Sequence, residues 1–404
     1  MPSLLSMKIE NFRSFYSPQV LEFGKERARD ITALFGPNSG GKSNTAKAMY
    51  VMFYMIANSS RADWGLPFEP FLLRVGSNEE PTVFEIAFEH SGREMIYSFS
   101  YDRNQIKREE LREKSPKINR YKTVFLRDSA ESINTTAEKF GFSKTLMKKT
   151  RPDTLLITKA REDNNHYANL VFDLINSVSV ILTEGDDPNQ QYAELLKENP
   201  SLQDRAIELL RKCDFSIHGI ELSDAEAPPR EFLDALPFTE ELKQTLAQIK
   251  GTEFKTHHVV RDAEQSVVDT TTFDFWSQES YGTKKFFEAI VPIMYALDTG
   301  GTVYFDEFGN SLHPLLIKEI LSLFRNQAGD NRAHLIFNTQ NTSVMQEGLR
   351  REEIILVDKN LAEESIITPL MKRGVRKEEA FEKRYREGMY GAIPRIRERE
   401  ALLN

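Results

Sequence analysis

Gly36-Pro37-Asn38-Ser39-Gly40-Gly41-Lys42-Ser43 fits the pattern G-x-x-x-x-G-K-[ST] at every fixed position. Gly36, Gly40 and Gly41 let the backbone turn tightly enough for its N–H groups to converge on phosphate oxygens. Residues 31–35 upstream are an apolar, strand-like run, and residues 42–58 downstream read as a helix. The N-terminal end of that helix adds its positive partial charge to the loop. A strand entering and a helix leaving is the context that separates this motif from a chance glycine-rich turn. On this reading Lys42 reaches the terminal phosphates of a nucleotide and Ser43 binds magnesium. Pro37, Asn38, Ser39 and Asn44 complete the candidate binding set.

A second chemical feature lies far downstream. Thr302-Val303-Tyr304-Phe305-Asp306-Glu307 is a short apolar strand ending in two acids. Alone, such a pair is commonly a solvated strand end. Beside a phosphate loop, Asp306 is the candidate magnesium ligand and Glu307 the candidate general base for an attacking water. Ser280-Tyr281-Gly282-Thr283 opens a predicted helix over residues 284–296. Ser280 there reads equally as a helix cap and as a phosphate contact.

The whole chain sets bounds on these readings. It has 404 residues, 40% hydrophobic and 28% charged, with a formal net charge of -8. That balance is globular, and it argues against a uniformly basic nucleic-acid binder. A single cysteine, Cys213, excludes an internal disulfide and fits a reducing compartment. Residues 1–15 lack the apolar centre of a signal peptide, and the apolar run 48–57 is too short to span a bilayer. A cytoplasmic protein is expected.

Three parts are expected along the chain. Residues 1–111 hold the phosphate loop, strands at 7–12 and 31–35, and a hairpin from 83–88 and 95–99. Residues 112–270 read as a mainly helical insertion, with helical spacing at 167–180, 192–197 and 202–213. Asp186-Asp187-Pro188 and Ala227-Pro228-Pro229 punctuate it as loops. Residues 271–404 return to alternation, with strands at 302–305, 334–337 and 354–357 and a helix at 317–324. Such alternation implies a parallel sheet covered on both faces. His257 and His258 are adjacent on a strand and face opposite ways, which disfavours a shared metal. The basic residues Arg103, Lys107, Arg108, Arg112, Lys114, Lys117, Arg120 and Lys122 are interrupted by acids and read first as a solvated face. Cys213 reads as packed core.

Together these motifs resemble ABC-type ATPases of the SMC/Rad50/OLD branch, in which two heads sandwich two ATP molecules. Ile9-Glu10-Asn11-Phe12-Arg13-Ser14-Phe15 looks like the opening strand of that branch, and the resemblance implies that Arg13 approaches the nucleotide. Ser280-Tyr281-Gly282-Thr283 is similar to a degenerate signature sequence, which would bring Ser280 and Gly282 to the terminal phosphate held by the other subunit. Ser311-Leu312-His313-Pro314 falls where the D-loop does. The likeness tightens to bacterial AAA15-like ATPases of abortive-infection and phage-defence operons. It does so through Glu307-Phe308-Gly309-Asn310-Ser311-Leu312-His313-Pro314 and Tyr385-Arg386-Glu387-Gly388-Met389-Tyr390-Gly391-Ala392-Ile393-Pro394. One departure stands out. The strand after the D-loop usually ends in a histidine that senses the terminal phosphate, and here Gln340 takes that place. An amide donates a hydrogen bond but carries no proton as imidazole does, which implies slow hydrolysis.

The expected architecture is therefore an α/β P-loop ABC-type head with a helical insertion, working as an ATP-sandwiched dimer or a higher oligomer with Mg2+. The role implied is the sensor or regulatory subunit of an anti-phage system that controls a separately encoded effector, nuclease-like or RloB-like. The rivals are a repair or chromosome-associated ATPase binding DNA directly, and a nucleotide-gated scaffold with negligible turnover. The long heptad insertion of a Rad50-like or SMC-like chain is missing from the sequence.

Overall fold

Alternating apolar and polar residues early in the chain form an antiparallel sheet in the computed structural model, which describes residues 1–24, 30–115, 119–128, 136–183, 189–213, 216–224, 252–310, 312–329, 332–376 and 380–394. Its strands are β1 (Ser3–Glu10), β2 (Gln19–Glu22), β4 (Thr82–His90), β5 (Arg93–Tyr101), β6 (Ile106–Ser115) and β7 (Arg120–Asp128), ordered β2-β1-β4-β5-β6-β7. The hairpin expected from residues 83–99 is β4–β5, turning at Ser91 and Gly92, both with positive φ.

A second sheet gathers the uniformly apolar runs. These are β3 (Ile31–Phe35), β8 (Val178–Ile181), β12 (Thr302–Phe305), β13 (His334–Asn338), β14 (Ile354–Lys359) and β15 (Ser365–Pro369). The order is β15-β14-β3-β13-β12-β8, parallel except for β15. Every residue of β3 and β12 is buried, as strands covered on both faces require. The helix α1 (Lys42–Asn58) leaves β3 through the glycine loop, and its Met49, Met52, Met55 and Ile56 share one continuous core with Phe84 and Phe99 of the first sheet and Ile336 and Val357 of the second. A helix packed against both sheets has apolar residues around most of its circumference.

By contact the chain divides into two units. The first comprises Met1–Thr183, Ala296–Asn310 and Ile317–Asn404 and holds both of these sheets; the second comprises Glu184–Tyr295 and Ser311–Leu316. The second unit contains helices Asn189–Glu198 and Pro200–Lys212 and a three-stranded antiparallel sheet β11-β10-β9, made of β9 (Gly219–Asp224), β10 (Thr252–Arg261) and β11 (Val267–Asp274). Phe254 stacks on Phe275 at 4.2 Å and packs tilted against Phe287 at 4.8 Å, which anchors the helix beginning at Tyr281 to that sheet.

Several expectations are corrected. The helical run ends at Asn176, and residues 178–181 form the edge strand β8. The segment expected to be mainly helical also supplies part of β6 and all of β7 to the first sheet, and β9, β10 and part of β11 to the second unit. The strand signal of β6 is hidden because its inward face carries acids as well as Leu111. Glu109 is fully buried and Glu113 nearly so. Cys213 caps the end of its helix half-buried rather than lying in the core. The punctuating loops at 186–188 and 227–229 lie outside the described residues.

Glu109 explains why buried acids are tolerated there. Its carboxylate accepts N–H bonds from Leu156 (2.7 Å) and Ile157 (2.9 Å) and the Tyr97 hydroxyl (3.0 Å), with Arg127 Nη1 3.6 Å away. It thereby caps the helix Leu156–Glu162, whose own N-cap position, Leu155, has no side chain to do so. Burial pushes the Glu109 carboxyl above its ordinary range, and Arg127 and the three donors pull it back. Arg127 in turn donates to the carbonyls of Thr154 (2.7 Å) and Arg151 (3.3 Å).

Among the described residues no helix is long and apolar enough to cross a membrane.

Candidate nucleotide site

The phosphate loop sits where β3 meets α1, pressed against the neighbouring strand. A Cβ on Gly36 would lie 1.9 Å from the Val357 carbonyl oxygen of β14, and one on Gly40 2.9 Å from the same atom. Only glycine allows the loop this close to that strand. Gly41 has φ +107 and is the N-cap of α1, with no side chain bonded to the free amides behind it. Ser39 is also left-handed, at φ +59. Hydroxyls hold the loop from outside: Ser365 Oγ donates to Gly40 O (2.8 Å) and lies 2.7 Å from Ser14 Oγ, which accepts from Asn44 Nδ2 (2.7 Å).

Lys42 is almost wholly buried, and its ammonium donates to Gly36 O (2.8 Å) and Pro37 O (3.0 Å). Burial lowers its pKa, while the charges of Glu307 and Asp306 act in the opposite sense. That coupling places both acids within electrostatic range of the lysine. Ser43 is exposed, Asp306 and Glu307 are half-buried, and Asn38 and Ser39 are exposed at the loop tip.

The acids stand at the end of β12, with only β13 between that strand and β3. Asn338, the last residue of β13, donates from Nδ2 to Asp306 Oδ1 (2.6 Å), and its Oδ1 accepts the Glu307 N–H (2.9 Å). The Glu307 carboxylate accepts from Gln340 Nε2 (3.2 Å) and Asn310 Nδ2 (3.1 Å). Gln340 therefore lies against the candidate base. Arg13 has φ +48; its Nε meets Glu69 Oε2 at 2.5 Å and its Nη1 lies 3.5 Å from Asn44 Oδ1, beside the first turn of α1.

Pro37, Asn44, Lys42, Ser43, Asp306, Glu307, Gln340 and Arg13 thus belong to one region of the first unit. Ser280 and Gly282 belong to the second. Ser280 Oγ accepts the Thr283 N–H (3.1 Å), the geometry of a helix cap, and a Cβ on Gly282 would meet nothing closer than 3.9 Å. Ser311 lies outside the described residues; His313 Nδ1 accepts the Leu315 N–H (3.3 Å) at the start of the helix Pro314–Arg325. His257 and His258 point apart, to Glu221 (3.6 Å) and Glu279 (2.7 Å). Among the described residues no cluster of metal-ligating side chains is found beyond these pairings.

Sequence reasoning missed Asn338, Tyr304 and Thr45. The one available signal was a polar residue closing an otherwise apolar strand, Leu335-Ile336-Phe337-Asn338. The donor set fits a polyphosphate with a hard divalent cation: uncapped amides, an ammonium, an exposed serine hydroxyl and a carboxylate.

An SMC head domain from Thermotoga maritima is 16% identical, over 91% of this chain and 98% of that one, with TM-score 0.41. An Smc head bound to the C-winged helix domain of ScpA is 15% identical over 91% and 97%, with TM-score 0.44. An Smc head with an extended coiled coil, bound to the C-terminal domain of ScpA derived from Pyrococcus furiosus, is 15% identical over 92% and 98%, with TM-score 0.39. No curated protein matches the sequence. The sequence profile of AAA_21, described as "AAA domain, putative AbiEii toxin, Type IV TA system", matches residues 31–346. With both the phosphate loop and the acid-tipped strand inside that match, the chain is a P-loop ATPase-type protein and belongs to the AAA_21 family.

Proposed function

We propose that the protein binds ATP with Mg2+ and hydrolyses it in a site closed by a second copy, as the regulatory subunit of a bacterial defence system. The observation that carries the reading is the placement of Asp306 and Glu307 at the end of β12, where their charges act on buried Lys42. Lys42 and the loop amides of residues 36–44 would hold the β and γ phosphates, Arg13 would approach the nucleotide beside Asn44, and Ser43 and Asp306 would hold magnesium. The ion, when bound, neutralises charge on the phosphate oxygens. Glu307 takes a proton from water as its oxygen bonds to the γ phosphorus and the bond to the β–γ bridging oxygen breaks. Ser280 and Gly282 of the second copy would complete the site. Binding that favours a closed dimer and hydrolysis that reverses it make a switch.

The family description names a putative AbiEii toxin of a type IV TA system, which supports a defence role. Direct DNA binding draws little support from the basic run. Arg112 pairs with Glu85 (3.0 Å), Lys114 with Glu94 (2.6 Å) and Lys122 with Glu113 (2.8 Å).

The experiment is nucleotide titration of wild type and Lys42→Ala, with mass followed by light scattering. Wild type is expected to bind ATP and double its mass, and Lys42→Ala to lose at least about 1.4 kcal/mol of binding, a tenfold change. Equal affinity for the two proteins would remove the reading.

A second reading, a nucleotide-gated scaffold with slow turnover, is favoured by Gln340 lying on Glu307 Oε1 in place of a histidine. Gln340→His is expected to raise turnover by about tenfold or more. A rate equal to wild type would remove that account of Gln340.

A further inference from the structure

Asn338 is fully buried, and its side chain has no unused polar atom facing the acids. The Glu307 N–H can only donate, so the atom it meets must be the amide oxygen, and the amide nitrogen must face Asp306. The Asn338 main-chain carbonyl also accepts the Phe308 N–H at 2.8 Å. One residue thus holds the Asp306 carboxylate, the Glu307 amide and the Phe308 amide. Between them Glu307 sits at φ +59, a region that a non-glycine residue occupies only when its surroundings hold it there. The kink leaves the Glu307 carboxylate between Gln340 and Asn310.

The clamp is connected to the phosphate loop. The fully buried Tyr304 hydroxyl, on β12 two residues before Asp306, hydrogen-bonds Thr45 Oγ1. Thr45 Oγ1 donates to Lys42 O at 2.5 Å in the first turn of α1. Hydrogen bonds therefore tie the strand that carries both acids to the first turn of the loop helix, at the Lys42 carbonyl.

We propose that Asn338 is a positioning residue that aims Asp306 and Glu307, and that the Tyr304–Thr45 hydroxyl pair keeps that aim in register with the phosphate-loop helix. This rests on the nucleotide reading above. Buried beneath the acids, Asn338 acts through them and touches no reacting atom. The amide itself is required: its two faces serve a carboxylate and an N–H at once, which a hydroxyl or a carboxylate in its place would not.

The test is Asn338→Asp, which keeps the shape and the acceptor for the Glu307 N–H but sets a carboxylate against Asp306. The two carboxylates repel, so Asp306 loses the donor that holds it in place. At neutral pH kcat is expected to fall about 100-fold with KM for ATP little changed. A fall in kcat with KM held is a split that a general loss of packing would not give. Tyr304→Phe keeps the ring and cuts the link to Thr45; kcat is expected to fall about tenfold, with KM for ATP little changed. Hydrogen exchange of the ligand-free protein should quicken at residues 305–309 of Asn338→Asp and stay at the wild-type rate along residues 43–56.

Magnesium titration of binding to a fluorescent ATP analogue gives a readout without turnover. Asn338→Asp should raise the half-saturating Mg2+ about tenfold and leave Mg2+-free affinity unchanged, because the Asp306 carboxylate loses the amide that orients it. Wild type that binds without turnover overturns the hydrolytic reading alone, and the magnesium titration then decides this proposal. Wild type that binds no nucleotide overturns both. Asn338→Asp indistinguishable from wild type in kcat, magnesium dependence and exchange overturns the positioning role.

Discussion

Glu307→Gln is expected to slow ATP turnover by about 10²–10⁴-fold, the range associated with removal of a general base. The substitution keeps size and shape but removes the group that takes the proton from water. It also disturbs its surroundings in a definite way. Gln340 Nε2 and Asn310 Nδ2 both donate to the Glu307 carboxylate, and a carboxamide has only one oxygen to receive them. Nucleotide affinity should stay close to wild type, because Lys42, Ser43 and the loop amides are untouched. With binding retained and hydrolysis blocked, the ATP-bound dimer should accumulate, read as doubled mass in light scattering. Turnover within about threefold of wild type would show that another group activates the water.

The second large effect concerns the fold. Arg127→Met is expected to destabilise the first unit by about 3–5 kcal/mol, because it leaves the buried Glu109 carboxylate without its counter-charge. Arg127 also serves the carbonyls of Thr154 and Arg151, so part of the loss comes from those bonds. The penalty should depend on pH with a predictable sign. Burial already raises the Glu109 carboxyl in the folded protein, and removing Arg127 raises it further. Above the ordinary glutamate range the unfolded chain then releases a proton that the folded chain retains, so stability falls as pH rises through that window. Urea unfolding should show a larger penalty at about pH 8 than at about pH 5, and adding Glu109→Gln should recover part of it. A single variant within about 1 kcal/mol of wild type at both pH values would mean that Glu109 is held adequately by Tyr97, Leu156 and Ile157 alone.

How much was legible in the sequence depended on whether each signal was local. Residues 31–58 announce strand, loop and helix in order, and the structure has β3, the glycine turn and α1 at those positions. The apolar runs at 302–305, 334–337 and 354–357 are strands for the same reason: a strand covered on both faces needs nothing beyond its own residues to be recognised. β6 and β7 were unreadable because their identity depends on distant partners. A buried Glu109 reads as a surface residue until the amides of Leu156 and Ile157 and the Arg127 guanidinium are brought to it. β8 was absorbed into the helix before it, since its four residues pair only with β12, more than a hundred positions on.

By itself, then, the sequence determined the chemistry of the loop: glycines where the chain presses on β14, a lysine and a serine at the helix start, and two acids closing an apolar strand. Short-range sterics and hydrogen-bonding capacity dictate all of these. Only the tertiary structure decided that β13 lies between β3 and β12, because strand order is a matter of non-local pairing. That placement is what sets Asn338 between Asp306 and Glu307, lays Gln340 on the carboxylate of Glu307, and links Thr45 to the acids through Tyr304.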